Sequence, residues 1–464
     1  MNKKNLIKIV LLIFTISAFC SCEKWIDPDI NINPDRVSEV TMKTLLPSIE
    51  AHLAYVVSGG SDIIGYQAIW LQQLDGTAGE SMTHSNYVLQ PTSVGWLFDG
   101  TYSNAMMDAL ALIDLATEKN SPHNKGVAKI CLAICLGQLT DVFNDIPWSE
   151  AFQGIANPTP AYDSQEFTYS EIQRLLTEAI HNLSEPNEPI GIDGDYFYDG
   201  DHTLWLKAAH ALKARYYLHL TKRNGNQAYQ NALGELNLAF TSNMDDLQFK
   251  YGPGANESNP LHQFMRDWDN VRMGAYFIDM LKEYDDPRLG VYAYPNYNDE
   301  YTGSIPGSGN STASKPGSAV ADAESPTYVI TFVEILFMKA EIMYQTGNNE
   351  NQVKEVLIQA VSESLDQFDV YNEDWLTEYT SSIENLQGND LFEELMTQKY
   401  IATFYQPEVY HSWRRTGFPV IPPNPVGAEA EIPRRFPYSS FELVFNKENV
   451  PQGITITDRV WWDE

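Results

Sequence analysis

Between Phe332 and Leu365 the chain carries two amphipathic runs back to back. Phe332, Ile335, Leu336, Ala340 and Met343 recur at helical spacing and share one face, while Glu334, Glu341 and Gln345 fall largely on others. Gly347-Asn348-Asn349 ends the first run, and a second follows from Val353 to Leu365. Each stripe can be buried only against a neighbour, so this stretch must fold as an αα-hairpin. Ala340 and Gly347 also stand at the separation of the small first-helix residue and the turn glycine of a tetratricopeptide repeat. Helical patterns recur over 42–57, 95–119, 123–143, 167–183, 203–223, 226–240, 270–283, 328–346, 350–365 and 388–405. They alternate without a clean repeat period. The fold class expected is mainly α: an α-α superhelix of tetratricopeptide-like helical hairpins with long loops and a few short strands.

The longest stretch without helical pattern runs from about 284 to 327. It passes Tyr292, Tyr294, Tyr297 and Tyr301 and then a glycine- and serine-rich segment over 302–318. A stretch of that length inside a folded unit marks a binding loop or disorder. After Arg415 the chain turns proline-rich, with a strand-like Gly453-Ile454-Thr455-Ile456-Thr457. One domain is expected over 42–464, with helical repeats about 42–250 and 328–415 around a loop-rich ligand region about 251–327.

Lys3, Lys4 and Lys8 precede an apolar run from Leu6 to Cys20, too short to span a bilayer and suited to a signal peptide. In Phe19-Cys20-Ser21-Cys22 only Cys22 follows a small residue, as lipoprotein signal peptidase requires. Residues 1–21 are therefore expected to be removed, Cys22 to be acylated, and 22–41 to form a tether. Loss of three lysines takes the formal charge from −32 to about −35 (−32 minus 3). With 62 acidic against 30 basic side chains and no basic run, the chain is not a nucleic-acid binder. Cys131 and Cys135 then remain, one helical turn apart in an apolar run. That spacing is a poor disulfide geometry, so they are expected as buried thiols.

Several stretches, in order, resemble RagB/SusD-family outer-membrane lipoproteins. Gln398-Lys399-Tyr400 with Trp413-Arg414-Arg415-Thr416-Gly417-Phe418-Pro419 is similar to the family's C-terminal signature. Asp141-Val142-Phe143-Asn144-Asp145-Ile146-Pro147 with Glu150-Ala151 resembles a second stretch, and Trp205 to Arg215 a third. Glu334 to Glu341 resembles the repeat helix, and Arg434 to Tyr438 with Glu442, Asn446 and Asn449 the closing motif. Two departures are Asn144, where the family carries glycine, and Tyr438, which lacks the following proline. The resemblance implies a lipid-anchored, surface-exposed outer-membrane protein. It would capture oligosaccharides, or in some members peptides, for a SusC-type TonB-dependent transporter, without catalysis and without a cofactor.

Sugar recognition calls for flat aromatic faces together with hydrogen-bonding groups. With 10 Trp and 26 Tyr in the chain, location has to select among them. Trp70, Tyr87 and Trp96 are candidates in the N-terminal third, where the resemblance places stacking residues. Trp268, Tyr292, Tyr294 and Tyr297 form a second group; on a strand, alternating tyrosines would share one face. Trp413, Arg414 and Arg415 read as structural, bracketing helix carboxylates such as Glu393 or Glu394. No HExxH, G-x-S-x-G, Walker or GxGxxG motif occurs, and no histidine set has metal-ligand spacing. Asp193-Gly194-Asp195 and Asp199-Gly200-Asp201 lack the rest of a calcium loop and read as turns. A glycoside hydrolase using two carboxylates and a pure transporter scaffold are the alternatives to a binding protein.

Overall fold

Side-chain caps start many of the helices. Ser164, Asp201, Asn259, Thr331, Asn349, Asn372 and Ser439 each accept a hydrogen bond from a backbone N–H of the first turn that follows. The computed structural model describes residues 2–3, 41–60 and 64–464. The signal and tether readings over 4–40, Cys22 among them, lie outside the described residues. The chain divides into units Met1–Thr41 and Met42–Glu464, and the second holds the elements that follow.

Helices α1 (Met42–His52), α2 (Ile64–Trp70), strand β1 (Leu74–Gly76), α3 (Gly79–Ser85), α4 (Gly95–Thr101), α5 (Met107–Glu118) and α6 (Pro122–Phe143) form the N-terminal part. Then come α7 (Gln165–Leu183), α8 (His202–His219), α9 (Asn226–Leu236), β2 (Leu247–Phe249), α10 (Pro260–Asp267), β3 (Val271–Met273) and α11 (Ala275–Glu283). Strands β4 (Ala293–Tyr294), β5 (Lys315–Pro316) and β6 (Thr327–Ile330) precede α12 (Phe332–Gln345), α13 (Glu350–Gln367), α14 (Glu373–Ile383), α15 (Gly388–Ala402), α16 (Pro407–Thr416) and α17 (Ser440–Phe445). Three antiparallel two-stranded ribbons pair β1 with β3, β2 with β6, and β4 with β5.

The helical hairpins form: α5 packs with α6, α8 with α9, and α12 with α13, and α6 packs against α7 as well. Helix α6 is apolar enough to cross a membrane by length and composition, yet its apolar window is wholly buried and serves as the core helix. Cys131 and Cys135 lie in it as buried free thiols. Asn144 ends it at φ +74°, ψ −110°, a conformation glycine adopts without strain. Its side chain contributes to holding the turn: Nδ2 donates to Asp145 Oδ1 at 3.0 Å, and Oδ1 accepts from Trp461 N at 2.7 Å.

Some expectations need correction. The 270–283 helix begins only at Ala275, because Val271–Met273 pairs with β1; the 328–346 helix begins at Phe332, because the β-branched run Thr327–Ile330 pairs with β2. Gly453–Thr457 is not a strand. Glu334 and Glu341, off the apolar stripe of α12, are nevertheless fully buried. Their partners come from far along the chain. Arg215 donates Nε and Nη2 to Glu334 at 2.7 and 2.5 Å, and Arg415 donates to both oxygens of Glu341. Arg415 therefore brackets Glu341, not Glu393 or Glu394. Arg414 lies over the Tyr410 and Trp462 rings.

Beside these pairs, His219 lies between Glu408 (Nε2 to Oε2, 2.9 Å) and Asp141 (Nδ1 to Oδ2, 3.4 Å), and Lys399 stands 3.8 and 3.9 Å from Glu408 and Glu341. Asp141, Glu334, Glu341 and Glu408 are thus faced by Arg215, Arg415, Lys399 and His219. Burial opposes a proton on the imidazole, but the two carboxylates outweigh it and raise the His219 pKa. This cluster joins α6, α8, α12, α15 and α16.

Candidate functional site

The β1–β3 ribbon brings α2, α3 and α10 around one cavity of about 510 Å³, a volume within the range of small-ligand sites. The local sequence forces this approach. A Cβ on Gly76 would stand 1.9 Å from the Ser81 carbonyl oxygen, so only glycine lets β1 turn tightly into α3. Asn270 closes the other side: its carbonyl accepts from Thr77 N at 2.8 Å, and its Oδ1 accepts from Ser81 Oγ at 3.0 Å. Asp75, fully buried beneath, accepts from Ser85 and Ser304 and so fastens α3 and the 302–318 segment to β1. Burial lifts its pKa to about 6 against the opposing effect of those hydroxyls. The glycine- and serine-rich segment is thus an ordered buttress.

The wall is apolar, with Tyr66, Ile69, Leu261, Phe264, Val271 and Tyr405 among its residues. Trp268, the C-terminal cap of α10, stands at the rim with 69% of its surface exposed. Polar groups come from α3, α10 and the turn before β3: Glu80, Ser81, His84, Gln263, Asp267 and Asn270. Glu80 accepts from Ser93 Oγ at 2.7 Å and lies 3.7 Å from His84 Nε2. His84 is 3% exposed, packs on the Tyr66 ring at 3.9 Å between centroids, and leaves its Nδ1 buried without a hydrogen-bond partner. Burial pushes its pKa down to about 4, so the ring is neutral at physiological pH. An exposed indole, a lined wall and several hydrogen-bonding groups suit a ligand with both a C–H face and hydroxyls.

Of the seven aromatic candidates, Trp268 alone lines this cavity. Trp70 is fully buried against Tyr410 and Phe436, and its indole N–H donates to the His84 carbonyl at 3.1 Å. It positions the end of α3 and presents no face to a ligand. Tyr87 is also buried, at φ +58°, and its hydroxyl accepts from Asn424 N at 2.7 Å, clamping the C-terminal segment to α3. Tyr292 closes a helical turn (Leu289–Tyr292) inside the core, packed on Phe277, Phe368 and Phe404. These three are core because each sits where a turn folds back onto the helical stack.

Tyr294 and Tyr292 therefore do not share a strand face. Tyr294 lies in register with Lys315, whose Nζ reaches Asp269 beside Trp268 at 2.8 Å, and its hydroxyl donates to Asp322. Tyr297, 80% exposed, stands on the loop beyond β4. Trp96 is 62% exposed on α4, with its ring 6.2 Å from His52. Farther along the same helix, Asp99 and Tyr102 line a separate, open groove of about 330 Å³. Asp195 is saturated by backbone N–H groups of Phe197, Tyr198 and Gly200 and by Trp205 Nε1, which makes that segment a turn. Among the described residues no His/Cys/Asp/Glu group is arranged to hold a metal.

Tyr66, Glu80, His84, Phe264 and Tyr405 escaped the sequence reading. One signal was available, the i,i+4 spacing of Glu80 and His84 next to Tyr87.

A family model, SusD-like, described as starch-binding and associating with the outer membrane, matches residues 34–439. No curated protein matches the sequence. Among solved structures, a SusD/RagB family protein from Bacteroides thetaiotaomicron is 22% identical, with a TM-score of 0.80 over 92% of this chain and 99% of that one. A chitin-binding SusD homolog from Flavobacterium johnsoniae is 21% identical, with a TM-score of 0.79 over 91% and 98%. A SusD homolog from Bacteroides fragilis is 23% identical, with a TM-score of 0.75 over 92% and 100%. At these identities the likeness is one of fold.

Proposed function

The chain belongs to the SusD-like family of non-catalytic, carbohydrate-binding proteins associated with the outer membrane, and from that premise we propose that it captures oligosaccharides and hands them to a SusC-type TonB-dependent transporter. The observation that carries the ligand reading is the exposed tryptophan on an apolar, polar-edged cavity: Trp268 lines it together with Tyr66, Phe264 and Tyr405 and with Glu80, His84 and Asn270. A pyranose needs that combination, a flat face for its C–H side and directional groups for its hydroxyls. Tyr294 and Tyr297 are exposed on β4 and the loop beyond it, and Trp96 offers a separate exposed ring on α4.

Acylation at Cys22 would hold the protein at the membrane surface, and the energy for uptake would come from the TonB system. As a lid on the barrel, the protein would trap ligand between its own surface and the transporter, an association that needs about 1,000 Å² of buried interface to survive purification. A peptide-binding role is the second reading within the same family resemblance. The test is a glycan array probed with the purified chain, beside the Trp268→Ala variant, with product analysis of the bound glycans. Binding without cleavage, lost in the variant while its thermal midpoint is unchanged, is the expected result. Peptide binding alone, or released sugar products, would refute it.

A further inference from the structure

The charge around the cavity discriminates among glycans. Among the described residues lining it, Glu80 and Asp267 are carboxylates, His84 is neutral, and no lysine or arginine is present. Cations do stand nearby, but each is already bonded. Arg266 grips Asp267 with Nε and Nη2 at 2.7 and 2.9 Å and gives Nη1 to the Ala255 carbonyl. Arg272 is buried, with Nη1 on Asp269 Oδ1 at 2.9 Å and Nε on the Ser311 carbonyl. Lys315 donates to the other Asp269 oxygen at 2.8 Å. Glu80 has no such partner; the Ser93 hydroxyl and the neutral His84 ring are what face it.

Recognition of a carboxylate or sulfate calls for a free guanidinium or ammonium with donors aimed at the ligand. None stands among the described lining residues: Arg266, Arg272 and Lys315 lie outside the lining, and each already pairs with a carboxylate. Beyond the cavity, a formal charge of −32 repels polyanions before contact.

We infer that this cavity takes uncharged or amine-bearing saccharide units and excludes uronate- and sulfate-bearing ones, with Glu80 as the residue that sets the charge preference. The inference rests on the oligosaccharide reading proposed above and narrows its substrate class. Glu80 acts on an amine-bearing sugar directly, as acceptor, and on an acidic sugar by repulsion. His84, neutral beside Glu80, adds no positive charge to the lining. For unit charges about 6 Å apart, Coulomb's law at effective dielectrics between about 20 and 80 gives a change of roughly 3- to 100-fold in affinity.

The experiment uses the full chain on an array holding neutral, amine-bearing, uronate and sulfated oligosaccharides, with Trp268→Ala and Glu80→Gln as variants. Hits confined to the neutral and amine-bearing classes and lost in Trp268→Ala are expected. In Glu80→Gln, amine-bearing hits weaken by roughly 3- to 100-fold, neutral hits hold, and uronates of matched linkage gain. A uronate or sulfated hit that depends on Trp268 overturns the inference while leaving oligosaccharide capture standing. Hits indifferent to Trp268 overturn it by placing the site elsewhere. An array with no glycan hit sinks the functional reading itself, an outcome distinct from either.

Discussion

Replacing Arg215 with methionine should expose how much of the fold depends on its buried ion pairs. In the native protein both Glu334 oxygens accept from this one guanidinium, which also donates to the Val329 carbonyl at 2.7 Å. Glu334 is fully buried and Arg215 nearly so, which leaves the abandoned carboxylate no water to turn to. Breaking such a pair from one side costs about 3–5 kcal/mol, and the stranded carbonyl adds about 1 kcal/mol. Burial already raises the Glu334 pKa against the pull of Arg215; without the arginine it rises further, and protonation caps the loss. With unfolding entropy of roughly 2.1 cal/mol/K per residue over the Met42–Glu464 unit, the melting temperature should fall by roughly 4–7 °C. Calorimetry at fixed scan rate measures it. Arg215→Met with Glu334→Leu should recover more than half of the loss, since the pair is then removed together. A single variant within about 1 °C of the native protein, or a double variant worse than the two singles summed, would refute the reasoning.

His219 makes the same cluster sensitive to pH. Its folded pKa is raised by Glu408 and Asp141, so its contribution is full below the unfolded value near 6.5 and is lost as pH rises through the folded value. The thermal midpoint of the native protein should therefore decline on the alkaline side more steeply than that of His219→Gln; parallel profiles would contradict this. Burial raises the pKa of the Cys131 and Cys135 thiols, so iodoacetamide should label neither until denaturant is added. Mass spectrometry of the α6 peptide reads the outcome, and labelling of the folded protein would show that α6 opens.

The hairpins were legible because their signal is periodic and local. Phe332 to Met343 repeats at the helix period, and Gly347, at φ +76°, ends the hairpin's first helix as glycine does. Strand–helix boundaries were less so. Val271–Met273 and 328–330 read as helix because a segment of three or four residues carries no period of its own, and their strand pairing is decided by β1 and β2, nearly 200 and 80 residues away in sequence. The burial of Glu334 and Glu341 was not legible for a related reason. Polarity alone assigns a glutamate to solvent, and only the arrival of Arg215 and Arg415 from other hairpins makes its burial tolerable.

The cavity was legible only at its rim. Trp268 could be singled out because a tryptophan flanked by two aspartates is poorly suited to a core, and the structure leaves it exposed. Trp70, Tyr87 and Tyr292 had the same aromatic character, but their destinations depend on where distant chain arrives: Phe436 and Tyr410 onto Trp70, Asn424 onto Tyr87, Phe404 onto Tyr292. These buried rings still bear on the site. Trp70 holds the His84 carbonyl, and Tyr87 locks the turn just after α3, so the helix that brings Glu80 and His84 to the cavity is fastened from behind by two of them. A ligand bound as proposed would meet Glu80 and His84 already in place, with no affinity spent on ordering them. Losing the Tyr87 hydroxyl should consequently weaken binding without removing any group that touches sugar, whereas losing Trp268 should weaken it without changing stability. The contrast between those two effects separates the residues that hold the site from the residue that faces its ligand.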